Sequence, residues 1–210
     1  MNKISSIALA AAILLTANAA NATTGFYTGA AISAQKHNIT TTEDKKKHKL
    51  KKTKPVIDFF AGYNTEIASK TPLAIELRAG LPLGKIASEK AGYKSSEAKA
   101  KYQLGLFTNL GYKFTDYFEA GVTAGLNLTK YELKYEDTLA KEENETKKKL
   151  KPQPEAGIYL KGYLSDNFSV RLEGTYAFKT KLPILKIEKT DVKKRDNKGM
   201  KIRLAGIYNF

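Results

Sequence analysis

The sequence predicts an all-β fold: an eight-stranded antiparallel transmembrane β-barrel with an up-and-down strand order. Three observations predict it. Apolar and polar residues alternate in eight places with the two-residue period of a β-strand. The connections between these segments are alternately short and long, and aromatic residues gather where the connections are short. Short periplasmic turns and long external loops are typical of membrane barrels.

Residues 1–22 precede the alternating pattern and have the parts of a secretory signal peptide. A basic start is followed by an apolar stretch from Ile4 to Ala17 and then by small residues suited to cleavage. The apolar stretch is shorter than the roughly 20 residues that a helix needs to span a bilayer. We therefore expect cleavage after Ala22, or alternatively after Ala19, and a barrel domain of residues 23–210.

Each predicted strand has one apolar face and one polar face. The eight strands cover residues 26–35, 56–63, 73–83, 102–114, 118–128, 155–164, 168–178 and 200–210. The apolar faces hold 45 residues, none of them charged, whereas 11 of the 40 residues on the opposite faces are charged. In a membrane barrel the apolar faces contact lipid and the polar faces line the lumen. In an exported soluble sandwich, which is the alternative, the apolar faces would point inward.

Aromatic residues and prolines favour the membrane barrel. Aromatic side chains at the short-turn end form a predicted girdle at the membrane boundary. The girdle consists of Phe26, Tyr63, Tyr112, Phe114, Phe118, Phe168, Tyr208 and Phe210. All six prolines are predicted at strand ends or in a long loop, as a closed barrel requires, because proline cannot donate a ladder hydrogen bond.

Composition excludes several kinds of chemistry. The 210 residues contain no cysteine, which removes disulfides, thiolate zinc sites and cysteine nucleophiles. The two histidines, His37 and His48, fall in one predicted loop and on no predicted strand, and a barrel enzyme that modifies lipid would need a histidine near the bilayer. We therefore expect no enzyme, no cofactor and no metal site.

Three short stretches resemble the small outer-membrane barrels of Gram-negative bacteria. They are the opening Gly25-Phe26-Tyr27-Thr28-Gly29, the stretch Ser165–Tyr176 and the final Gly206–Phe210. The resemblance is to the opacity-type proteins and to the barrels of the outer-membrane protein A and X families. It implies the cell outer membrane as location. It also implies that Tyr208 and Phe210 form the assembly signal that the barrel-assembly machinery reads.

Charged residues on the polar faces predict a network in the lumen. Eight strands leave an interior only just wide enough for side chains, so charges buried there must pair. We expect this network to be a structural plug, or alternatively a gate whose pairs exchange to let water and small ions through. Its members are Asp58, Glu76, Arg78, Glu119, Lys161, Arg171, Glu173 and Arg203.

The predicted loops carry the excess positive charge of a chain whose formal net charge is +15. The segments 37–54 and 179–199 each carry a net charge of +5. Outer-membrane lipid, lipopolysaccharide and other anionic glycans are the expected partners, in a structural or adhesin-like role. Nucleic acid is not, because the basic runs have no interleaved aromatic residues. The predicted loop basic patch consists of Lys45, Lys46, Lys47, Lys49, Lys51, Lys52, Lys193, Lys194 and Arg195.

Overall fold

The computed structural model describes residues 24–43, 46–91, 94–137, 145–182 and 192–210. The predicted signal peptide lies outside these residues. Nine antiparallel strands are present in the described part of the chain. They are β1 Gly25–Glu43, β2 Lys46–Ala68, β3 Thr71–Pro82, β4 Lys85–Ala91, β5 Lys94–Thr115, β6 Phe118–Asp137, β7 Glu145–Tyr163, β8 Phe168–Lys181 and β9 Val192–Asn209. No helix among the described residues is long and apolar enough to cross a membrane.

The strands close into a ring. The strands β5, β6, β7, β8 and β9 each pair with their neighbours along the chain. β9 also pairs with β1, β1 pairs with β2, and β2 pairs with β3. The ring closes because β3 also pairs with β5. The short β4 continues the line of β3 and pairs with the same neighbour, β5. The ring therefore has eight members, and the predicted eight-stranded up-and-down barrel is confirmed.

A kink separates β3 from β4. Gly84 has a φ of +84°, in the left-handed region that favours glycine. Just before it, the Leu83 amide donates a hydrogen bond of 2.9 Å to the carbonyl oxygen of Pro55 on β2. This bond holds the end of β3 against β2 while the chain turns into β4.

The strands extend well beyond their predicted ends on the side of the long connections. The predicted first loop is largely a hairpin, since β1 runs to Glu43 and β2 begins at Lys46. The prediction that neither histidine lies on a strand was wrong, because His37 is on β1 opposite Lys52, and His48 is on β2. Lysine and threonine weaken the apolar alternation here, but the backbone ladder continues. We call this side of the barrel the long-hairpin end and the opposite side the short-turn end.

Two prolines stand inside β7 where its ladder to β8 stops, so the prediction that all prolines lie at strand ends or in a long loop was wrong. Backbone pairing between these strands begins at Glu155, just after Pro152 and Pro154. Side chains join the strands beyond that point. Thr180 Oγ1 donates to the Pro152 carbonyl, and Gln153 Nε2 donates to the Phe178 carbonyl, each at 2.9 Å. Prolines are tolerated here because no backbone ladder to β8 requires their missing N–H groups.

The outward face is apolar and the inward face is polar, as the alternation predicts. Leu77 and Leu106 lie opposite each other on β3 and β5 and are 65% and 53% exposed. Glu76, one residue from Leu77, is fully buried in the lumen. At the short-turn end, outward aromatic rings pack in pairs. Phe26 and Tyr63 have ring centroids 5.0 Å apart, and those of Tyr112 and Phe114 are 5.2 Å apart.

Aromatic rings fill the space next to several inward glycines. A Cβ atom at Gly29 would meet the Phe60 ring at 2.3 Å, and one at Gly125 would meet the Phe107 ring at 2.5 Å. Tyr27 and Tyr159 occupy the same kind of space beside Gly62, Gly111 and Gly121. These glycines make room for large inward rings, and the lumen is packed with side chains.

Candidate functional sites in the lumen and at the long-hairpin end

Glu76 on β3 is the centre of the lumenal network. Its Oε1 accepts hydrogen bonds from Arg78 Nε at 2.5 Å and Arg171 Nη2 at 2.9 Å. Its Oε2 accepts from Arg171 Nη2 at 2.8 Å and from the Tyr27 hydroxyl at 2.9 Å. Arg203 Nη1 lies 3.5 Å from Oε1. One buried carboxylate therefore faces three guanidinium groups.

Glu173 on β8 is the second carboxylate of this group. Arg78 donates to it across the lumen through two parallel bonds, Nη1 to Oε1 at 2.6 Å and Nη2 to Oε2 at 3.0 Å. Such two-pronged contacts are among the strongest ion pairs in proteins. Arg203 Nη1 lies 3.6 Å from Glu173 Oε2. We call Glu76, Glu173, Arg78, Arg171 and Arg203 the arginine cluster; with three arginines and two glutamates it has one excess positive charge.

Aromatic faces cover the guanidinium groups of the arginine cluster. Arg78 lies over the Phe107 ring at 3.8 Å from its centroid, and Arg203 lies over the Phe60 ring at 4.4 Å. The negative face of an aromatic ring attracts a cation, and the attraction increases when water is excluded. The rings beside the inward glycines therefore partly compensate the cluster's excess positive charge.

On the long-hairpin side of the arginine cluster, further polar side chains line the lumen. Lys201 Nζ and Ser33 Oγ donate to Asp58 at 2.9 and 2.7 Å. On the opposite wall, Asn127 Nδ2 donates to Glu155 Oε1 at 2.9 Å. Charges in this half of the lumen thus have direct partners of opposite charge or hydrogen-bond donors.

Toward the short-turn end, Glu119 and Lys161 lie opposite each other on β6 and β7 but form no ion pair. Glu119 instead accepts hydrogen bonds from the hydroxyls of Tyr159, at 2.6 Å, and Tyr163. Lys161 Nζ lies 4.5 Å from the centroid of the Tyr163 ring. The tyrosines therefore separate the lysine from the carboxylate that faces it.

Two small cavities flank the arginine cluster, each of about 10 Å³, enough for about one water molecule. The cavity on the short-turn side is lined by residues that include Asn109, Glu119, Lys161 and Arg171. The residues around the other cavity include Asp58, Gln103, Asn127 and Lys201. Arg78 joins Glu173 across the lumen between the two cavities.

His37 belongs to a second buried polar group, beyond the apolar band at the long-hairpin end. Its Nδ1 lies 3.2 Å from Asn197 Nδ2 on β9. The pKa of His37 is lowered to about 4, chiefly by burial and also by the charges of Lys201 and Lys54, while the hydrogen bond with Asn197 opposes the shift. Burial also raises the pKa of the neighbouring Tyr131 to about 12. Among the described residues, no group of three His, Cys, Asp or Glu side chains could hold a metal ion.

The predicted basic patch is divided between two strands that flank β1. Lys46–Lys52 are on β2 and Lys193–Arg195 are on β9, and both strands pair with the outer part of β1. Lys45 lies outside the described residues. Lys49 and Lys51 are exposed, and Lys52 is half-buried. The end of β1 therefore brings together two basic segments that are about 140 residues apart in the sequence.

Four exposed lysines share the outward face of these three strands. Asn38 on β1 pairs with Lys51 on one side and Lys198 on the other. Lys36 precedes Asn38 by two residues on the same face, and Lys49 precedes Lys51 in the same way. We call Lys36, Lys49, Lys51 and Lys198 the lysine face; all four are exposed.

Tyr208 and Phe210 lie at the short-turn end, beside the start of β1. Their rings are 5.2 Å apart, and the Phe210 amide donates to the Phe26 carbonyl at 3.0 Å. The assembly role that the resemblance implies for these two residues stays a prediction.

All eight residues of the predicted lumenal network are buried in the structure. Arg78, Arg171, Arg203, Glu76 and Glu173 meet in one cluster, whereas Asp58 and the pair Glu119 and Lys161 lie on either side of it. The predicted network did not include Phe60, Phe107, Tyr27 and Tyr159, although the alternation places all four on the polar faces. Their signal was available in the sequence, since large aromatic residues alternate with glycine on the polar faces.

A closed ring of eight antiparallel members with an apolar outer surface defines a transmembrane β-barrel. The family model described as "Outer membrane protein beta-barrel domain" matches residues 6–201. The chain belongs to this family and is a small barrel protein of the Gram-negative outer membrane.

Solved structures of similar fold come from several Gram-negative bacteria. Ail, the attachment invasion locus protein of Yersinia pestis, solved with the heparin analogue sucrose octasulfate, is 14% identical, with a TM-score of 0.49 and coverage of 89% of this chain and 99% of that one. OprG of Pseudomonas aeruginosa is 13% identical, with a TM-score of 0.49 and coverage of 90% and 97%. Neisserial surface protein A is 10% identical, with a TM-score of 0.48 and coverage of 89% and 97%. A comparison with curated proteins found no match.

Proposed function

We propose that this protein is a surface-interaction barrel whose lysine face binds anionic saccharide polymers. The ligand class is a saccharide that carries phosphate or sulfate, either the membrane's own lipopolysaccharide or an external acidic glycan. The proposal assigns no catalytic reaction. It includes a role for Tyr208 and Phe210 in recognition by the barrel-assembly machinery.

The single observation that carries the proposal is the arrangement of the lysine face. Strands in a sheet are about 4.8 Å apart, so the backbones at Lys51 and Lys198 are separated by about 10 Å across β1. Successive residues on one face of a strand are about 7 Å apart, so Lys49 adds a further charge along β2. This spacing allows one anionic chain lying across three strands to contact several ammonium groups. Lysine provides point charges without fixed geometry, which suits a polymer of irregular sequence.

Heparin chromatography of the folded protein in detergent tests the proposal. In the test variant Lys45, Lys46, Lys47, Lys49, Lys51 and Lys52 are all replaced by Gln. We expect it to elute at lower salt than the wild type, because salt screens exposed charges and fewer charges remain to be screened. Lipopolysaccharide and heparin as competitors in solution distinguish the two sources of ligand.

A matched control removes the same charge from the opposite side of the long-hairpin end. Its six Lys→Gln changes are at Lys130, Lys134, Lys147, Lys148, Lys149 and Lys151, on β6 and β7. This variant should elute close to the wild type. Equal shifts in both variants would show binding to overall charge, and no shift in the first variant would exclude β2 as the contact surface.

A second candidate function is a narrow channel for water or small ions. The two cavities on either side of the arginine cluster favour it, since exchange of the pairs between Arg78, Arg171, Glu76 and Glu173 would connect them. Planar-bilayer recording of the refolded wild type tests this function. Steady conductance well above leak would support the channel, and its absence in both the wild type and Glu173→Gln would exclude it.

A further inference from the structure

We propose that the lumen contains a binding site for a small inorganic anion and that this anion is chloride. The site is the cavity between the arginine cluster and the short-turn end, next to Lys161. It goes beyond the proposed function, because it lies inside the barrel and away from the lysine face.

Charge imbalance in this half of the lumen is the first observation. Three inward carboxylates, Glu76, Glu119 and Glu173, face a larger number of inward cations. Four of these cations are buried and one, Lys113, is half-buried. The buried four are Arg78, Arg171, Arg203 and Lys161. An unbalanced buried charge is costly, and a bound anion removes much of that cost.

The isolation of Lys161 is the second observation. Its ammonium group has no carboxylate oxygen within 4.0 Å among the described residues, although Glu119 lies directly opposite it in the ladder. The two oxygens of Glu119 accept from Tyr159 and Tyr163, and these bonds keep the carboxylate away from the lysine. The Tyr163 ring contacts the ammonium group but accepts no conventional hydrogen bond from it.

Further donors around the cavity are the third observation. Asn109 Oδ1 accepts a hydrogen bond from Arg78 Nη2 at 3.5 Å, so the amide nitrogen of Asn109, Nδ2, points away from Arg78. Asn109 Nδ2 is buried without a hydrogen-bond partner among the described residues, and Arg171 Nε has no hydrogen bond there but lies 3.6 Å from Glu173 Oε2. Both residues line the same cavity as Lys161. A chloride ion accepts from several donors at once and supplies the missing negative charge, whereas a water molecule supplies none.

The cavity on the other side of the arginine cluster provides the contrast. Its lysine, Lys201, forms an ion pair of 2.9 Å with Asp58. No positive charge is left over there for an anion to balance. Lys201 is therefore the matched control for Lys161: both are buried lysines at a cavity of the same size, and they differ in having a carboxylate partner.

Crystals of the folded wild type grown in bromide test the site directly. We expect an anomalous bromide peak within hydrogen-bond distance of Lys161 Nζ. Bromide peaks at surface lysines without one in this cavity would overturn the proposal. This measurement needs no variant and stays decisive even if a substitution at Lys161 prevents folding.

Urea unfolding in chloride and in gluconate at equal ionic strength tests the site in solution. A ligand that binds only the folded state raises the unfolding midpoint. We expect chloride to raise the midpoint of the wild type and of Lys201→Met, and this shift to be lost in Lys161→Met. An equal chloride effect in all three would place the anion on the surface. No chloride effect in the wild type would mean that Lys161 is neutral or hydrated, and either result would overturn the proposal.

Discussion

Glu76 is the residue on which the centre of the lumen depends, because all three cluster arginines approach its carboxylate. Replacing it with Gln keeps the shape but leaves three guanidinium groups with one carboxylate. Breaking a buried pair costs about 3–5 kcal/mol. We expect Glu76→Gln to insert normally into lipid vesicles and to lower the free energy of unfolding in urea by about 3 kcal/mol.

Glu97 on β5 provides the control for that change. Its pair with Lys85 lies outside the apolar band, and the hydrogen bond from this lysine lowers the pKa of Glu97. Exposed pairs contribute little to stability. Glu97→Gln should therefore unfold like the wild type. A similar result for Glu76→Gln would show that the arginine cluster does not stabilise the barrel.

His37 makes stability depend on pH. Its pKa is about 4 in the folded protein and about 6.5 when exposed, so the unfolded chain takes up the proton first as the pH falls. The free energy of unfolding should therefore decrease between about pH 6.5 and pH 4, by about 3 kcal/mol in total. In His37→Gln this part of the decrease should disappear when urea unfolding is followed across the same pH range. An unchanged pH profile would show that His37 does not remain neutral in the folded state.

At the scale of the elements, the kink between β3 and β4 requires glycine. A residue with a Cβ atom costs roughly 1–2 kcal/mol in the left-handed region, and a Cβ at Gly84 would also lie 3.0 Å from Lys54 Nζ. We expect Gly84→Ala to lower the free energy of unfolding by about 1 kcal/mol. Gly174 on β8 is the control, because a Cβ there meets no atom within 4 Å. Equal effects of the two substitutions would show that the kink does not require a glycine at position 84.

The strands inside the membrane could be predicted because the alternation of apolar and polar residues is visible within each strand's own sequence. Lipid on one side and a packed lumen on the other force strict alternation, as at Leu77 and Glu76. Beyond the apolar band both faces of a hairpin are polar, so nothing in the pattern distinguishes the strand around His37 from a loop. The pattern also assigns Arg78 to the lumen without choosing its partner. That choice depends on how β3 and β8 are aligned across the lumen, which is a property of the closed ring.

At the scale of the whole molecule, the outer surface requires an apolar middle. An arginine at the bilayer midplane costs about 2–4 kcal/mol in a membrane barrel, and near the boundary the cost falls to about 0–1 kcal/mol. We expect Leu77→Arg and Leu106→Arg each to lower the free energy of unfolding in lipid vesicles by the midplane amount, about 2–4 kcal/mol. Tyr102→Arg, on the same face of β5 near the long-hairpin end, should cost much less. Equal tolerance at all three positions would overturn the assignment of the lipid-facing surface.

The pairing of β1 with β9 has a consequence for the time course of folding. Tyr27 lies opposite Asn209, so this contact joins the two most distant parts of the barrel sequence, whereas most other neighbours in the ring are adjacent along the chain. Closing such a long loop carries a larger entropic cost than forming a hairpin. Until it closes, the edges of β1 and β9 are unpaired and open to aggregation with other chains. We therefore expect the slow step of refolding to be the meeting of these two strands, and dilute conditions to favour the folded barrel.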